Sequence, residues 1–215
     1  MSAWVPVPVQ RRALAFAAAF RDVFVPAAEQ RWIEVPLDVR ALGVAAVRGA
    51  DRTWRVSLTG RQPAVPAGTF PITVAAPGGE YVAFDPLDVT LPLATSSPPL
   101  REELLLVYPL WPTRRLRLPP GETAVHGAIT QLGVPQPGLR VLLHPGPTPP
   151  PGTPEARTDA AGELVYRFPL GPSAATGSDL VLTVTVLDGA VPVPVVPASL
   201  TLAPGRVHTV SFLRP

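Results

Sequence analysis

The groups in this sequence that could carry acid–base, metal or anion chemistry are three histidines, sixteen carboxylates and eighteen basic residues, every one of them arginine. Metal capture by histidine needs ligands at set spacings, as in H-E-x-x-H. His126, His144 and His208 stand far apart, and each reads as a structural or surface residue. Glu102 and Glu103 are adjacent, but neighbours on an extended segment point to opposite faces and cannot cooperate. Asp85-Pro86-Leu87-Asp88 could place two carboxylates around a turn, where a calcium ion would be attracted. The dense Asp/Asn/Gly spacing of calcium loops is missing, so turn chemistry is the better reading. Ser173 and Ser178 lie in a Gly/Ser/Ala-rich stretch without the G-x-S-x-G elbow of a serine nucleophile. Gly146 to Gly152 is not a phosphate loop, because its prolines lack the N–H groups that cradle phosphate. The chain has no cysteine, which removes disulfides, zinc–thiolate sites and thiol catalysis together. No catalytic, metal-binding or cofactor-binding residue is assigned, and the expectation is a protein that is not an enzyme.

Whatever these residues do, short strands must position them. Proline accounts for 31 of the 215 residues, and each interior proline would break a helix by removing a donor and clashing with the preceding turn. Hydrophobic residues reach 47% and charged ones only 16%, against roughly 25% charged in ordinary soluble domains. The mean hydropathy of +0.26 leaves apolar surface to bury and argues against disorder. Period-2 alternation marks half-buried strands at Trp54-Val56-Leu58, Phe70-Ile72-Val74, Leu87-Val89-Leu91, Leu139-Val141-Leu143, Leu164-Tyr166-Phe168 and Leu182-Val184-Val186. Leu104 to Tyr108 is a continuous apolar run and predicts a strand buried on both faces. Turns are expected at Pro77-Gly78-Gly79, Pro119-Pro120-Gly121, Pro145 to Gly152 and Asp188-Gly189. The fold class that follows is all-β, two tandem antiparallel sandwiches of the transthyretin or immunoglobulin kind.

Arg11-Arg12 followed by Ala13 to Phe20 has the look of a signal peptide. Its apolar stretch is short, however, and runs into Arg21-Asp22 without a small-residue cleavage site; a strand or a short helix is the better reading. No run approaches the roughly 18 apolar residues of a membrane span, so a soluble chain is expected. Laid side by side, the halves match weakly: Asp51 to Val56, Phe70 to Gly78 and Leu87 to Leu91 against Asp159 to Phe168, Leu182 to Gly189 and Leu200 to Leu202. Tandem duplication and chance likeness between β-rich sequences both account for this. Either way the expected domains are 1–118 and 119–215, divided where proline and glycine interrupt the pattern.

In the second half the chain reads Val125-His-Gly127-Ala-Ile129, then Val134-Pro-Gln-Pro-Gly138-Leu-Arg-Val141-Leu-Leu143, then Thr158-Asp159-Ala-Ala-Gly162-Glu-Leu164-Val-Tyr166-Arg-Phe168. This resembles the carboxypeptidase regulatory-like (transthyretin-like) β-sandwich, with a long proline-rich insert from His144 to Arg157. The resemblance implies the accessory sandwich of that family, not its peptidase. The residues carry their own reading beside it. Gly127 permits close approach of strands, Gly138 supplies a turn, and Thr158-Asp159 to Gly162 reverses the chain.

A formal net charge of +2 and a densest basic group of only Arg114, Arg115 and Arg117 argue against a nucleic-acid partner. Trp54 is expected in the core. Trp111 is expected to pack near the domain junction, where Trp111, Arg114 and Arg115 form the candidate interface. The functional expectation is a non-catalytic structural or adaptor protein of a larger assembly. Its partners would be other protein subunits, self-association included, with no membrane span and no cofactor. Phe20-Arg-Asp-Val-Phe24, Leu110-Trp-Pro-Thr113 and the sandwich also loosely resemble accessory proteins of phage-tail-like contractile injection particles. That resemblance implies assembly in the cytoplasm and a later extracellular place in a particle. The alternative is a surface binding module that recognises glycans or proteins.

Overall fold

The structure, a computed structural model, describes residues 11–26, 29, 31–60, 64–93, 105–168 and 178–215. In chain order its strands are β1 (Arg11–Asp22), β2 (Asp38–Ala41), β3 (Val44–Ala45), β4 (Val47–Arg48), β5 (Trp54–Gly60), β6 (Gly68–Ala75), β7 (Tyr81–Val82), β8 (Leu87–Leu91), β9 (Leu105–Pro112), β10 (Thr123–Gln131), β11 (Val134–Pro135), β12 (Arg140–His144), β13 (Ala156–Arg157), β14 (Glu163–Phe168), β15 (Leu180–Asp188), β16 (Val191–Val193), β17 (Ser199–Leu202) and β18 (Val207–Arg214). The fold is all-β, as the proline content and the alternation require.

Two compact units divide the chain, Met1–Arg21 with Trp32–Pro77 and Asp85–Pro109, and Asp22–Arg31 with Gly78–Phe84 and Leu110–Pro215. Among the described residues every strand pairing joins strands within residues 1–118 or within 119–215. By compactness, Asp22–Arg31, Gly78–Phe84 and the stretch from Leu110 to Leu118 go with the second unit.

In the first unit one sheet runs β4-β5-β1-β9 and the other β3-β2-β6-β8. The ambiguous stretch after Gln10 is the long strand β1, and Phe16 and Phe20 are fully buried. A register shift between Leu14 and Phe16 breaks simple alternation, which is why its apolar residues do not show a clean period of 2. Trp54 sits in the core as expected, 5.3 Å edge-to-face from Phe20. Strand β8 alternates strictly, with Leu87, Val89 and Leu91 in and Asp88 and Thr90 out. The run ending at Tyr108 corrects an expectation. Val107 is exposed and Leu105, Leu106 and Tyr108 are half-buried, so that stretch is not covered on both faces; the buried part of β9 is Leu110 to Pro112. Leu104 lies outside the described residues.

In the second unit β10 pairs antiparallel with β14 and parallel with β18, while β11 caps its end. The facing sheet runs β13-β12-β15, with β16 and β17 on the far edge of β15. Between them lie Val125, Ile129, Val141, Leu143, Leu164, Tyr166, Val184, Val186 and Phe212. Phe168, expected among these, is only partly buried. Gly127 faces Leu164 and Phe212 across β14 and β18, and a Cβ there would stand 3.0 Å from each side chain. At the reversal before β14, the Asp159 carboxylate accepts from the Ala161 and Glu163 amides, each at 2.9 Å. Gly162 follows at φ +70°, where an added Cβ would press 2.7 Å from the Ile129 carbonyl oxygen.

Candidate functional site

The polar chemistry of the second unit concentrates on Arg167, which strand alternation aims away from the partly apolar row of Tyr166 and Phe168. Its Nε donates to Glu122 Oε1 at 2.6 Å and its Nη2 to Glu122 Oε2 at 2.9 Å, a bidentate clamp. Its Nη1 also donates to Asp22. Asp22 accepts a further bond from the Tyr81 hydroxyl at 2.9 Å and one from the Phe24 amide at 2.9 Å. Burial pushes the Asp22 carboxyl above its ordinary range, against the pull of the Arg167 charge. Burial pushes the Tyr81 hydroxyl up as well, with the Asp22 charge adding to it. For Arg167, burial works against the charge, and the Glu122 bonds and Asp22 outweigh it, so its pKa rises. Two carboxylates that both accept from one guanidinium form a structural tie.

Beside this tie opens an apolar groove of about 560 Å³, bounded by Phe24, Leu143, Tyr166, Phe168, Leu180 and Leu182. Its aromatics are in ring contact, Phe24 to Tyr166 at 4.7 Å and Tyr166 to Phe168 at 5.0 Å. The Tyr166 hydroxyl lies 3.1 Å from the Leu143 carbonyl and 2.9 Å from that of Pro154, which anchors the proline-rich insert. Burial pushes that hydroxyl up to about 12. The insert itself is exposed at every position from Pro145 to Gly152.

The residues singled out as an interface lie together in this unit. Trp111 is buried, its indole N–H donates to the Glu155 carbonyl at 3.0 Å, and the Arg157 guanidinium lies 4.8 Å over its ring. Phe84 meets it edge-on at 5.5 Å. Arg114 is exposed but tethered, at 2.7 Å to Glu163 and 3.0 Å to the Gly127 carbonyl. Arg115 is exposed beside Gly79. Trp111 is therefore packed against Arg157 and Phe84, while Arg114 and Arg115 are exposed on separate partners.

The histidines are dispersed. His144 is fully buried with Nε2 2.9 Å from the Thr185 hydroxyl, and His208 Nε2 lies 2.9 Å from the Ala203 carbonyl. His126 is half-buried, and burial and then the Arg114 charge lower its pKa. Among the described residues no three His, Asp or Glu groups converge as metal ligands. Asp85 and Asp88 are both exposed. Glu102, Glu103 and Ser173 lie outside the described residues, and Ser178 is exposed.

Two features escaped the sequence reading. The Arg167 tie joins residues 145 and 45 positions apart, and its one signal is a charge set among apolar neighbours in Phe20-Arg-Asp-Val-Phe24 and Tyr166-Arg-Phe168. The other is an apolar group at one end of the β11-β10-β18 sheet. Leu132, Val134, Val196 and Leu213 are 96%, 60%, 59% and 56% exposed. Val196 bridges Leu213 on one face, Leu132 sits in the turn between β10 and β11, and Val134, opposite Gln131, points to the face away from Leu213, which lies opposite Thr130.

No family model matches this chain. No curated protein matches it either. Similar solved structures include the Bacillus anthracis TIE protein, at 9% identity and a TM-score of 0.29 over 96% of this chain; that match spans 34% of the Bacillus protein's length. The shaft pilin SpaA of Lactobacillus rhamnosus GG gives 9% identity and a TM-score of 0.29, covering 96% of this chain and 98% of the pilin. The Streptococcus agalactiae minor pilin GBS52 gives 13% identity and a TM-score of 0.27, covering 93% and 95%. Among the described residues no helix is long and apolar enough to cross a membrane.

Proposed function

We propose that this chain is a non-catalytic structural or adaptor subunit of a larger protein assembly. The observation that carries the reading is the exposed apolar pair of Val196 and Leu213, with Leu132 and Val134 also exposed at that end of the sheet. Large side chains left in water together mark a contact surface. The buried polar groups meanwhile tie the chain to itself, as Arg167, Glu122 and Asp22 do. We assign residues 119–215 to the carboxypeptidase regulatory-like sandwich, supported by the roles of Gly127 and Gly162, and keep 1–118 as its companion domain. Arg114 and Arg115, exposed close to Trp111 in the chain, are proposed with it as a second contact with protein partners. A phage-tail-like injection particle, built in the cytoplasm and later extracellular, is the assembly that the sequence resemblance favours.

The test is recovery of a stoichiometric protein partner from the native source with the tagged chain, repeated with Arg115→Glu. This substitution alters an exposed charge and leaves the packing of Trp111 against Arg157 and Phe84 in place. Loss of that partner with a preserved fold supports the reading, and no partner with either form contradicts it. The aromatic groove favours one other reading, a binding module for glycans or proteins. Saturable quenching of aromatic fluorescence by a sugar, abolished in Phe168→Ala, would favour it over the assembly role.

A further inference from the structure

Strand β18 has one open edge. Leu213 exchanges two backbone hydrogen bonds with Val196, at 2.8 and 2.9 Å, on the side away from β10. On the other side the Arg206 carbonyl, just before the strand, accepts from the Ala124 amide of β10. Successive residues of a strand direct their backbone groups to alternate edges. Val207, Thr209 and Ser211 therefore direct theirs to the Leu213 side. Among the described residues no strand pairs with them there, and all three are exposed. Sheets usually blunt such an edge with proline, lysine or a bulge; β18 contains neither proline nor lysine.

The sequence also holds a motif suited to such an edge. Val-Pro-Val-Pro-Val occurs twice, at Val5–Val9 and at Val191–Val195. In the second copy of the motif, Val191 and Val193 pair antiparallel with Asp188 and Val186 of β15, and Val195 is buried in the core. The motif's chemistry accounts for this use. With proline at every second position, the missing N–H groups all fall on one edge and the valine N–H and C=O groups all fall on the other. A strand of this kind adds to a sheet once and stops its growth. Val5–Val9, outside the described residues, has the same sequence, and its three valines match the spacing of Val207, Thr209 and Ser211.

We propose that Val5–Val9 of one copy adds antiparallel to the open edge of β18 in a second copy, with Val9 opposite Val207, Val7 opposite Thr209 and Val5 opposite Ser211. The inference rests on the assembly reading and supplies its self-contact. It is strand addition, in which main-chain bonds give affinity and alternate side chains give specificity. In this register the valines share a face with Val207, Thr209 and Ser211, next to the exposed Leu213. Each copy offers one strand and one edge, a head-to-tail contact that extends into rows unless it closes into a ring.

Light scattering on the purified full chain tests this. The mass should rise above the 22.7 kDa monomer as concentration increases. Val7→Pro, which removes the central donor, should hold it at the monomer, and so should Thr209→Pro, which removes the outward N–H of β18. Thr209→Val keeps that N–H and should leave the rise unchanged. An excess of synthetic peptide spanning residues 2–10 should return the wild type to monomer. Should Thr209→Pro fail to fold by circular dichroism, Val7→Pro and the peptide decide the matter. A chain monomeric at every concentration overturns the proposal, as does association that neither Val7→Pro nor the peptide reduces. Such a failure leaves the assembly reading standing, because that reading is judged on partners in the native source.

Discussion

Replacing Arg167 with Met should destabilise the second unit more than any surface change. The guanidinium is 11% exposed, and the side chains of Glu122 and Asp22 that it serves are each 4% exposed. Methionine fills much of the volume but leaves two carboxylates buried together without a cation. Breaking a buried pair from one side costs about 3–5 kcal/mol, since an uncompensated charge is left out of water. With a urea dependence of about 2 kcal/mol/M, the unfolding midpoint should fall by about 2 M. The triple variant Arg167→Met, Asp22→Asn, Glu122→Gln removes the orphan charges and should recover most of that loss. The assay is urea unfolding followed by circular dichroism and by intrinsic fluorescence, with coincident transitions required before a free energy is assigned. A loss below about 1 kcal/mol, the scale of an exposed ion pair, would refute the claim that this tie holds the unit together.

Other substitutions probe the remaining links. Because burial raises the Asp22 pKa, its contribution to stability is present in full below about 3.8 and is lost as pH rises through the higher folded value. The midpoint of the wild type should therefore fall more between pH 4 and pH 7 than that of Asp22→Asn; equal changes would show that Asp22 does not titrate differently in the fold. Gly127→Ala should cost about 1–3 kcal/mol by overpacking against Leu164 and Phe212, measured as a lower denaturation midpoint with unchanged circular dichroism. Trp54→Ala should cost about 3–5 kcal/mol from the first unit's core, while Phe168→Ala, at the lip of the groove, should cost about 1–2 kcal/mol. Equal losses for these two would mean that Phe168 is buried after all.

How far the sequence reaches depends on whether the deciding interaction is local. Leu87-Val89-Leu91 and Leu182-Val184-Val186 alternate because one face of each strand meets a core, and the pattern needs no knowledge of the partner strand. Gly127 and Gly162 were readable for a similar reason, since a missing Cβ implies close approach or a left-handed turn wherever the partner comes from. The stretch Leu105 to Tyr108 misled because hydrophobicity alone does not say which face is covered, and Val107 is left in water. In β1 the register shift after Leu14 scrambled the parity that would have declared a strand. The Arg167 tie was illegible because its three residues come from distant parts of the chain, and no local rule pairs them. The exposed pair of Val196 and Leu213 was hidden for the same reason: only the bridge between these two distant positions brings it together. Of the candidate interface, the clustering of Arg114 and Arg115 was legible from their adjacency, whereas the burial of Trp111 under Arg157 was not.

The central claim, that this chain works as a subunit and not alone, is tested most directly by the native mass of the protein in the source that makes it. Gentle lysis, sizing under native conditions and detection with an antibody against the chain would give that mass. Most of the protein should run in a particle many times heavier than 22.7 kDa, with other protein subunits at fixed stoichiometry. Protein found only at its own monomer mass, free of any protein partner, would contradict it.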